Sequence, residues 1–218
     1  MFFTDRDEAG KRLAEALEAF RGQEAIVLGI PRGGVVIGYQ VARQLSLPLD
    51  VMVTRKIGVP WSPETGFGAV GPDGSVILHE ELMPYLGISP QEIDRLGKEV
   101  YAEVRRRMQV YRGERPLPPL KGKVVILTDD GLATGITLLA AIKSVRNQAP
   151  ERVVAAIPVA SGSGYNLVKP HVEELVCLYV HPEDLPFAVA AFYRVWTDMT
   201  DEEVLDYLSR PTVSPATL

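Results

Sequence analysis

The sequence predicts an α/β protein built on a doubly wound, mainly parallel sheet of about five strands. Short, β-branched apolar runs at 25–30, 124–127, 152–159 and 174–180 are too brief for helices and read as buried strands. Segments with apolar residues at helical spacing, 35–45 and 138–145, follow two of them directly. The joints between strand and helix are small-residue turns, GIPRGG at 29–34 and TDDGLATGIT at 128–137. Strand, small-residue turn and helix in that order make βαβ units, which place ligands at the carboxyl ends of the strands.

Taken in order, 5–21 carries Leu13, Leu17 and Phe20 on one helical stripe, with Asp5 as cap and Gly22 as stop. The strand at 25–30 leads through the glycine turn into helix 35–45, and 49–54 is the next strand, ending at Arg55-Lys56. Residues 57–80 read as an irregular Gly/Pro-rich loop and then a β-hairpin, 67–70 and 75–79 around Gly71-Pro72-Asp73-Gly74. Ser89 caps a long amphipathic helix, 89–112, whose stripe is Ile93, Leu96, Val100, Val104, Met108 and Tyr111. The Pro-rich 115–119 is a stiff connector. After the strands at 152–159 and 174–180, the segment 182–208 gathers Phe187, Phe192, Tyr193 and Trp196 and closes with a helix capped near Thr200. The tail 210–218 is expected to fray. This is one domain over 1–218, with an insertion at 57–118 and a small hood at 182–210.

Composition narrows the class. Hydrophobic content of 46% and charged content of 23% suit a globular protein, and a net charge of -5 argues against a general nucleic-acid or anionic-membrane binder. No apolar run approaches the ~20 residues of a membrane span, and the N-terminal stretch lacks a signal-peptide core, so a cytoplasmic protein is expected. The single Cys177 excludes an internal disulfide, His79, His171 and His181 have no metal spacing, and no P-loop pattern is present.

The chemistry concentrates at 124–137. Asp129 and Asp130 sit where an apolar strand ends, suited to accept hydrogen bonds from two vicinal sugar hydroxyls. The amides of 134–137 open a helix, where backbone N–H groups and the helix dipole favour a phosphate. TDDGLATGIT resembles the phosphoribosyl-pyrophosphate (PRPP) signature of type I phosphoribosyltransferases, an apolar strand, two acidic residues and a turn ending Thr-Gly-x-Thr. That resemblance implies a ribose site at Asp129 and Asp130 and a 5-phosphate site at Ala133, Thr134, Gly135, Ile136 and Thr137. It also implies the reaction, displacement of pyrophosphate from C1 of PRPP by a nitrogen of a nucleobase, as in nucleotide salvage. Mg²⁺ is implied as an arrival with PRPP rather than as a directly held metal, with Asp129 and Asp130 the candidate protein contacts.

Two further loops fit. In GIPRGG, Gly33 and Gly34 allow backbone amides to face a diphosphate and Arg32 adds a charged fork; the family places its pyrophosphate loop here. LPLDVMVTRKIGVP, at 47–60, resembles adenine-type members, in which an Arg-Lys-x-Gly stretch follows this strand, so Arg55 and Lys56 are expected to neutralise the leaving pyrophosphate, Lys56 with a catalytic role. Residues 57–80 take the place of the family's flexible lid, and Glu80 and Glu81 at its return are expected mainly to cap the next helix.

Specificity stays open. Hypoxanthine-guanine members carry an Asp general base just before the Thr-Gly; here that residue is Ala133, as in adenine- and uracil-type members. Phe187-Ala188-Val189, however, resembles the base-stacking segment of the hypoxanthine type, which makes Phe187 and Val189 the base-pocket candidates. The block 81–118 has no counterpart in compact nucleobase enzymes. Arg105-Arg106-Arg107 on its helix reads as a solvated face, and Cys177 as a buried small hydrophobe. The alternative to an enzyme is a PRPP-sensing regulator that binds without turnover. The family often pairs subunits near the active site, so a homodimer is the implied assembly.

Overall fold

The computed structural model of the chain describes residues 2–213; most of the tail expected to fray, 214–218, lies outside them. Five parallel strands form the main sheet: β1 (Ala25–Gly29), β2 (Leu49–Val51), β6 (Val124–Thr128), β7 (Arg152–Ser161) and β8 (Glu174–His181), in the order β2-β1-β6-β7-β8. β1 and β6 are buried along their full lengths, as strands covered on both faces must be. On one face lie α1 (Arg6–Ala16) and α2 (Gly33–Leu45), packing Leu13, Leu17, Ile37, Val41 and Leu45 against Val27, Ile126 and Val154. On the other, α5 (Ile136–Arg146) and α6 (Gly162–Val168) bury Leu138, Ile142, Val145 and Val168 against Leu28, Val125, Leu127 and Val153. The doubly wound parallel sheet expected from the sequence is present. Asp5 caps α1 through Glu8 N–H, and Thr200 and Glu203 form a full capping box at α7 (Asp201–Ser209).

The insertion differs from expectation. The hairpin expected at 67–70 and 75–79 is present, but the stretch before it is no irregular loop. β3 (Arg55–Val59), β4 (Ser62–Val70) and β5 (Val76–Leu78) make a separate antiparallel sheet, and Arg55-Lys56 open β3 rather than hang from the end of β2. The reason is alternation: Ile57, Val59, Phe67 and Ala69 are buried, while Gly58 sits at a register shift that lets the pair bend. In the sequence, local Gly and Pro signals mask this pattern. The hairpin also docks through Asp73, which accepts from Ser144 Oγ of α5 at 2.7 Å and from Asn147 Nδ2, at the C-cap of α5, at 2.8 Å. At the turn between β3 and β4, Trp61 is 67% accessible.

A short α3 (Met83–Leu86) precedes α4 (Pro90–Arg112), capped by Ser89 as expected. α3 has Leu82 at its N-cap, so Glu80 and Glu81 do not cap it. Val104 and Tyr111 of α4 are fully buried in a third core with Val35, Val36, Val53, Ile57, Phe67, Met199 and Val204. That core joins α4 to β3, β4, α2 and α7, and so holds the insertion against the carboxyl end of the main sheet. Cys177 is half-buried and donates to Tyr179 O at 3.2 Å, its thiol pushed up to about 11 by burial. Among the described residues no helix is long and apolar enough to cross a membrane.

Candidate active site

β6 ends in the buried Thr128, and the chain then places Asp129 and Asp130 at the carboxyl edge of the sheet, beside the start of α2. Thr128 Oγ1 donates to Gly34 O at 2.9 Å and ties this edge to the glycine turn. The turn presses close. A Cβ built on Gly33 would lie 1.8 Å from Asp130 Oδ2, and one on Gly34 2.5 Å from Thr128 O. These two glycines therefore serve the approach of the loop to the acid pair. The Pro31–Arg32 peptide in this loop is cis.

The acid pair is asymmetric. Asp130 is met by Arg6 of α1, whose Nε lies 2.8 Å from Oδ2, and Tyr193 Oη donates to its backbone carbonyl at 2.5 Å. Arg6 is itself fixed, with its guanidinium 3.8 Å from the Trp196 ring centre and Nη1 donating to Thr197 O at 3.0 Å. Asp129 Oδ1 instead accepts the neighbouring Asp130 N–H, at 2.9 Å. Burial pushes the Asp129 carboxyl well above the usual range, and the Asp130 charge pushes it further. Burial also raises Asp130, while Arg6 pulls it back. A pair held this way gains from partners that donate to it or bring positive charge.

Around it lie two adjoining cavities. One, of about 320 Å³, is lined by Arg6, Arg32, Gly33, Arg107, Asp129 and Asp130 among others. The other, of about 540 Å³, is lined by Thr54, Arg55, Lys56, Gly58, Arg107 and Thr137 among others. Pro31 and Arg107 belong to both walls. The structure thus brings Asp129, Asp130, Arg32, Gly33, Arg55, Lys56 and Thr137 to one end of the sheet. Gly34 lies behind them, buried in the first turn of α2. α5 opens there with Gly135 in the left-handed region (φ +82°) and no side chain capping its N-terminus, which leaves its first amides available to an anion. Ala133 and Thr134 face a third cavity of about 500 Å³, shared with His79, Glu81 and Ser163; Glu81 is the residue of its pair that approaches the signature turn. Ser161 Oγ fixes this turn by donating to Ala133 O at 2.5 Å.

The base-pocket candidates divide. Val189 covers Gly131, where an added Cβ would lie 2.4 Å from Val189 Cγ1, so it adjoins the acid pair. Phe187 packs in a cluster with His181 and Phe192, ring centres 5.8 and 5.4 Å away. Trp196 and Tyr193 act elsewhere, on Arg6 and Asp130.

Arg32 does not point freely at a ligand. Its Nε lies 3.1 Å from Asp201 Oδ1 and its Nη1 donates to Met199 O at 2.7 Å. Tyr111 Oη donates to the same Asp201 oxygen at 2.5 Å, which holds the Asp201 carboxyl below its ordinary range, with Arg32 assisting; burial and Asp201 in turn push Tyr111 up to about 12. Tyr111→Phe is expected to cost about 1–2 kcal/mol in urea unfolding, the worth of one charge-assisted hydrogen bond; an unchanged midpoint would show that the link carries no stability. Arg6, Arg107 and Asp201 were not singled out for the site from sequence, and Tyr193 only as one of the hood aromatics. Arg107 alone left a local signal: it lies seven residues after Val100 and four before Tyr111, on the apolar stripe of α4, and is no part of a solvated face. Among the described residues no group of three or more His, Cys, Asp or Glu is placed to hold a metal ion.

A family model of the phosphoribosyl transferase domain matches residues 6–189. A Mycobacterium tuberculosis protein (strain CDC 1551 / Oshkosh) that carries phosphoribosyl transferase as a provisional name is 38% identical over 208 residues, 95% of this chain and 46% of that protein. The chain thus spans about half the length of the curated relatives it matches. The crystal structure of a Thermus thermophilus protein is similar with a TM-score of 0.79 and 41% identity, covering 95% of this chain and 98% of that one. An Aquifex aeolicus protein, 14% identical with a TM-score of 0.51 over 96% of this chain and 87% of its own, is similar in fold alone.

Proposed function

The chain belongs to the phosphoribosyl transferase family, and from that premise we propose that it transfers 5-phosphoribosyl from PRPP to a nitrogen of a nucleobase-like acceptor, releasing pyrophosphate. The observation that carries the reading is the convergence of a part-buried acid pair, an uncapped helix N-terminus and several cations on two cavities that share one wall. Asp129 and Asp130 take the ribose hydroxyls, the turn at 133–137 takes the 5-phosphate, and Arg32, Arg55 and Lys56 take the pyrophosphate. A carboxylate pair that burial makes reluctant to ionise is relieved by two hydroxyl donors or by a divalent cation. Those two carboxylates with substrate oxygens fit Mg²⁺ carried in on PRPP, where it would neutralise diphosphate charge.

In the reaction the C1–O bond to pyrophosphate breaks and the N–C1 bond forms. The cations stabilise charge as it collects on the leaving group, and the carboxylates lie near the sugar as it turns cationic. Ala133 supplies no side-chain base, so the acceptor's proton leaves to solvent or to pyrophosphate. Val189, over Gly131, and the hood beside it are the elements placed to contact the acceptor.

The test follows pyrophosphate release from PRPP and Mg²⁺ with adenine, guanine, hypoxanthine, uracil, orotate and xanthine in turn, alongside calorimetric binding of PRPP. Release with one base is expected. PRPP binding with no release from any of them would favour a sensor, and absence of PRPP binding would overturn the donor assignment.

A further inference from the structure

On α4, Val104 and Tyr111 are buried in the third core, and Arg107 projects between them on the same side, three residues from one and four from the other. Its side chain is 17% exposed, against 55% for Arg106 next to it. Arg107 Nε donates to Glu103 Oε1 at 3.0 Å, and Glu103 also accepts from Arg106 and lies 3.8 Å from Arg55. Arg106, whose hydrogen bond is foremost, and Arg107 hold the Glu103 carboxyl down at about 2. Among the described residues no hydrogen bond is made by the two terminal nitrogens of Arg107. Of the two residues common to the acid-pair cavity and the Arg55–Lys56 cavity, Pro31 has no N–H to offer. Among the described residues Arg107 is therefore the one donor that faces both chambers.

We propose that Arg107 is a pyrophosphate-binding residue, supplied by the inserted helix and reaching the diphosphate from the side opposite the glycine turn. This assignment rests on the PRPP reading above. The chemistry suits it: a guanidinium offers a planar fork of donors that matches phosphate oxygens. Glu103 occupies Nε and so orients the fork, leaving the terminal nitrogens for a ligand that spans the two chambers. The core contacts of Val104 and Tyr111 fix the helix, so the group is in place before the ligand arrives.

Calorimetry of PRPP, inorganic pyrophosphate and ribose 5-phosphate, each with Mg²⁺, tests this on the wild type, Arg107→Gln, Arg107→Lys and Arg106→Gln. Arg107→Gln is expected to weaken PRPP and pyrophosphate by about 10- to 100-fold and to leave ribose 5-phosphate unchanged. Arg107→Lys should recover part of the loss, since it restores charge without the fork, and Arg106→Gln should match the wild type. Wild-type pyrophosphate affinity in Arg107→Gln would overturn the assignment, as would an equal loss of ribose 5-phosphate, which would mark general damage to the site. A wild type that binds ribose 5-phosphate but neither PRPP nor pyrophosphate would overturn the donor reading itself and this assignment with it.

Discussion

Asp129→Asn is expected to raise the stability of the protein while abolishing tight PRPP binding, and Asp130→Asn to lose both. The two carboxyls are neighbours in sequence with opposite surroundings. Asp129 is raised by burial and then by the Asp130 charge, and the Arg6 guanidinium is paired with Asp130 in its place. A carboxyl whose folded pKa lies above its unfolded value of about 3.9 weighs against folding once the pH passes that value. The unfolded chain gives up the proton more readily, so stability declines as pH rises from about 4 through the raised native pKa and then levels off. An amide removes that penalty and keeps an oxygen for the Asp130 N–H, which Asp129 Oδ1 now accepts at 2.9 Å. A gain at pH 8 that shrinks toward pH 4 is expected. Asp130 differs because Arg6, with its side chain 11% exposed, depends on it. Asp130→Asn strands that guanidinium and is expected to cost about 3 kcal/mol. Both variants remove a ribose-facing carboxylate, and each is expected to weaken PRPP by about 100-fold or more. Urea unfolding at pH 5 and pH 8 with PRPP calorimetry checks the pair. Equal stability changes in the two variants would sink the asymmetry, and wild-type PRPP affinity in Asp129→Asn would sink the ribose assignment.

What the sequence disclosed depended on how local the cause was. The strand–acid pair–turn–helix run at 124–145 was legible because each step is dictated by its own residues: β-branched apolar positions, small residues at the turn, helical spacing afterwards. The Ser89 and Thr200 caps were legible for the same reason. At 57–66 two local signals conflicted, the Gly/Pro content and the alternation of Ile57 and Val59; burial against α4 and α2 decided for strands. Arg6 and Asp130 are 124 residues apart, and no spacing rule connects a helix-start arginine with a carboxylate so distant. Asp201 reads in sequence as one of three acids opening α7, and only the fold shows it between Arg32 and Tyr111. Arg107 was within reach: an arginine on the apolar stripe of an amphipathic helix needs a reason, and the triple-arginine composition obscured its phase.

The glycine turn separates fold from site most sharply, because Gly34→Ala is expected to damage the fold and Gly33→Ala the site. At Gly34 a Cβ would stand 2.5 Å from Thr128 O and 2.8 Å from Asp129 Cα. Both are backbone atoms at the end of the central strand β6, and Thr128 Oγ1 already binds Gly34 O on the same approach. Neither α2 nor β6 can withdraw without opening a core packed on both sides of the sheet, so a loss above about 3 kcal/mol is expected. At Gly33 the Cβ would meet Asp130 Oδ2 at 1.8 Å and Arg6 Nε at 2.6 Å, the ends of side chains that can swing aside. Their retreat separates the Arg6–Asp130 pair and costs about 1–3 kcal/mol, while it moves the carboxylate that faces the ribose. Gly33→Ala should therefore remain folded and lose PRPP by about 100-fold or more, whereas Gly34→Ala should unfold at much lower urea. A Gly33→Ala protein with wild-type PRPP affinity would place Asp130 outside the ribose site. If both variants unfolded alike, the two glycines would serve the fold alone, and the binding of the diphosphate would rest on the side chains of Arg32, Arg55, Lys56 and Arg107.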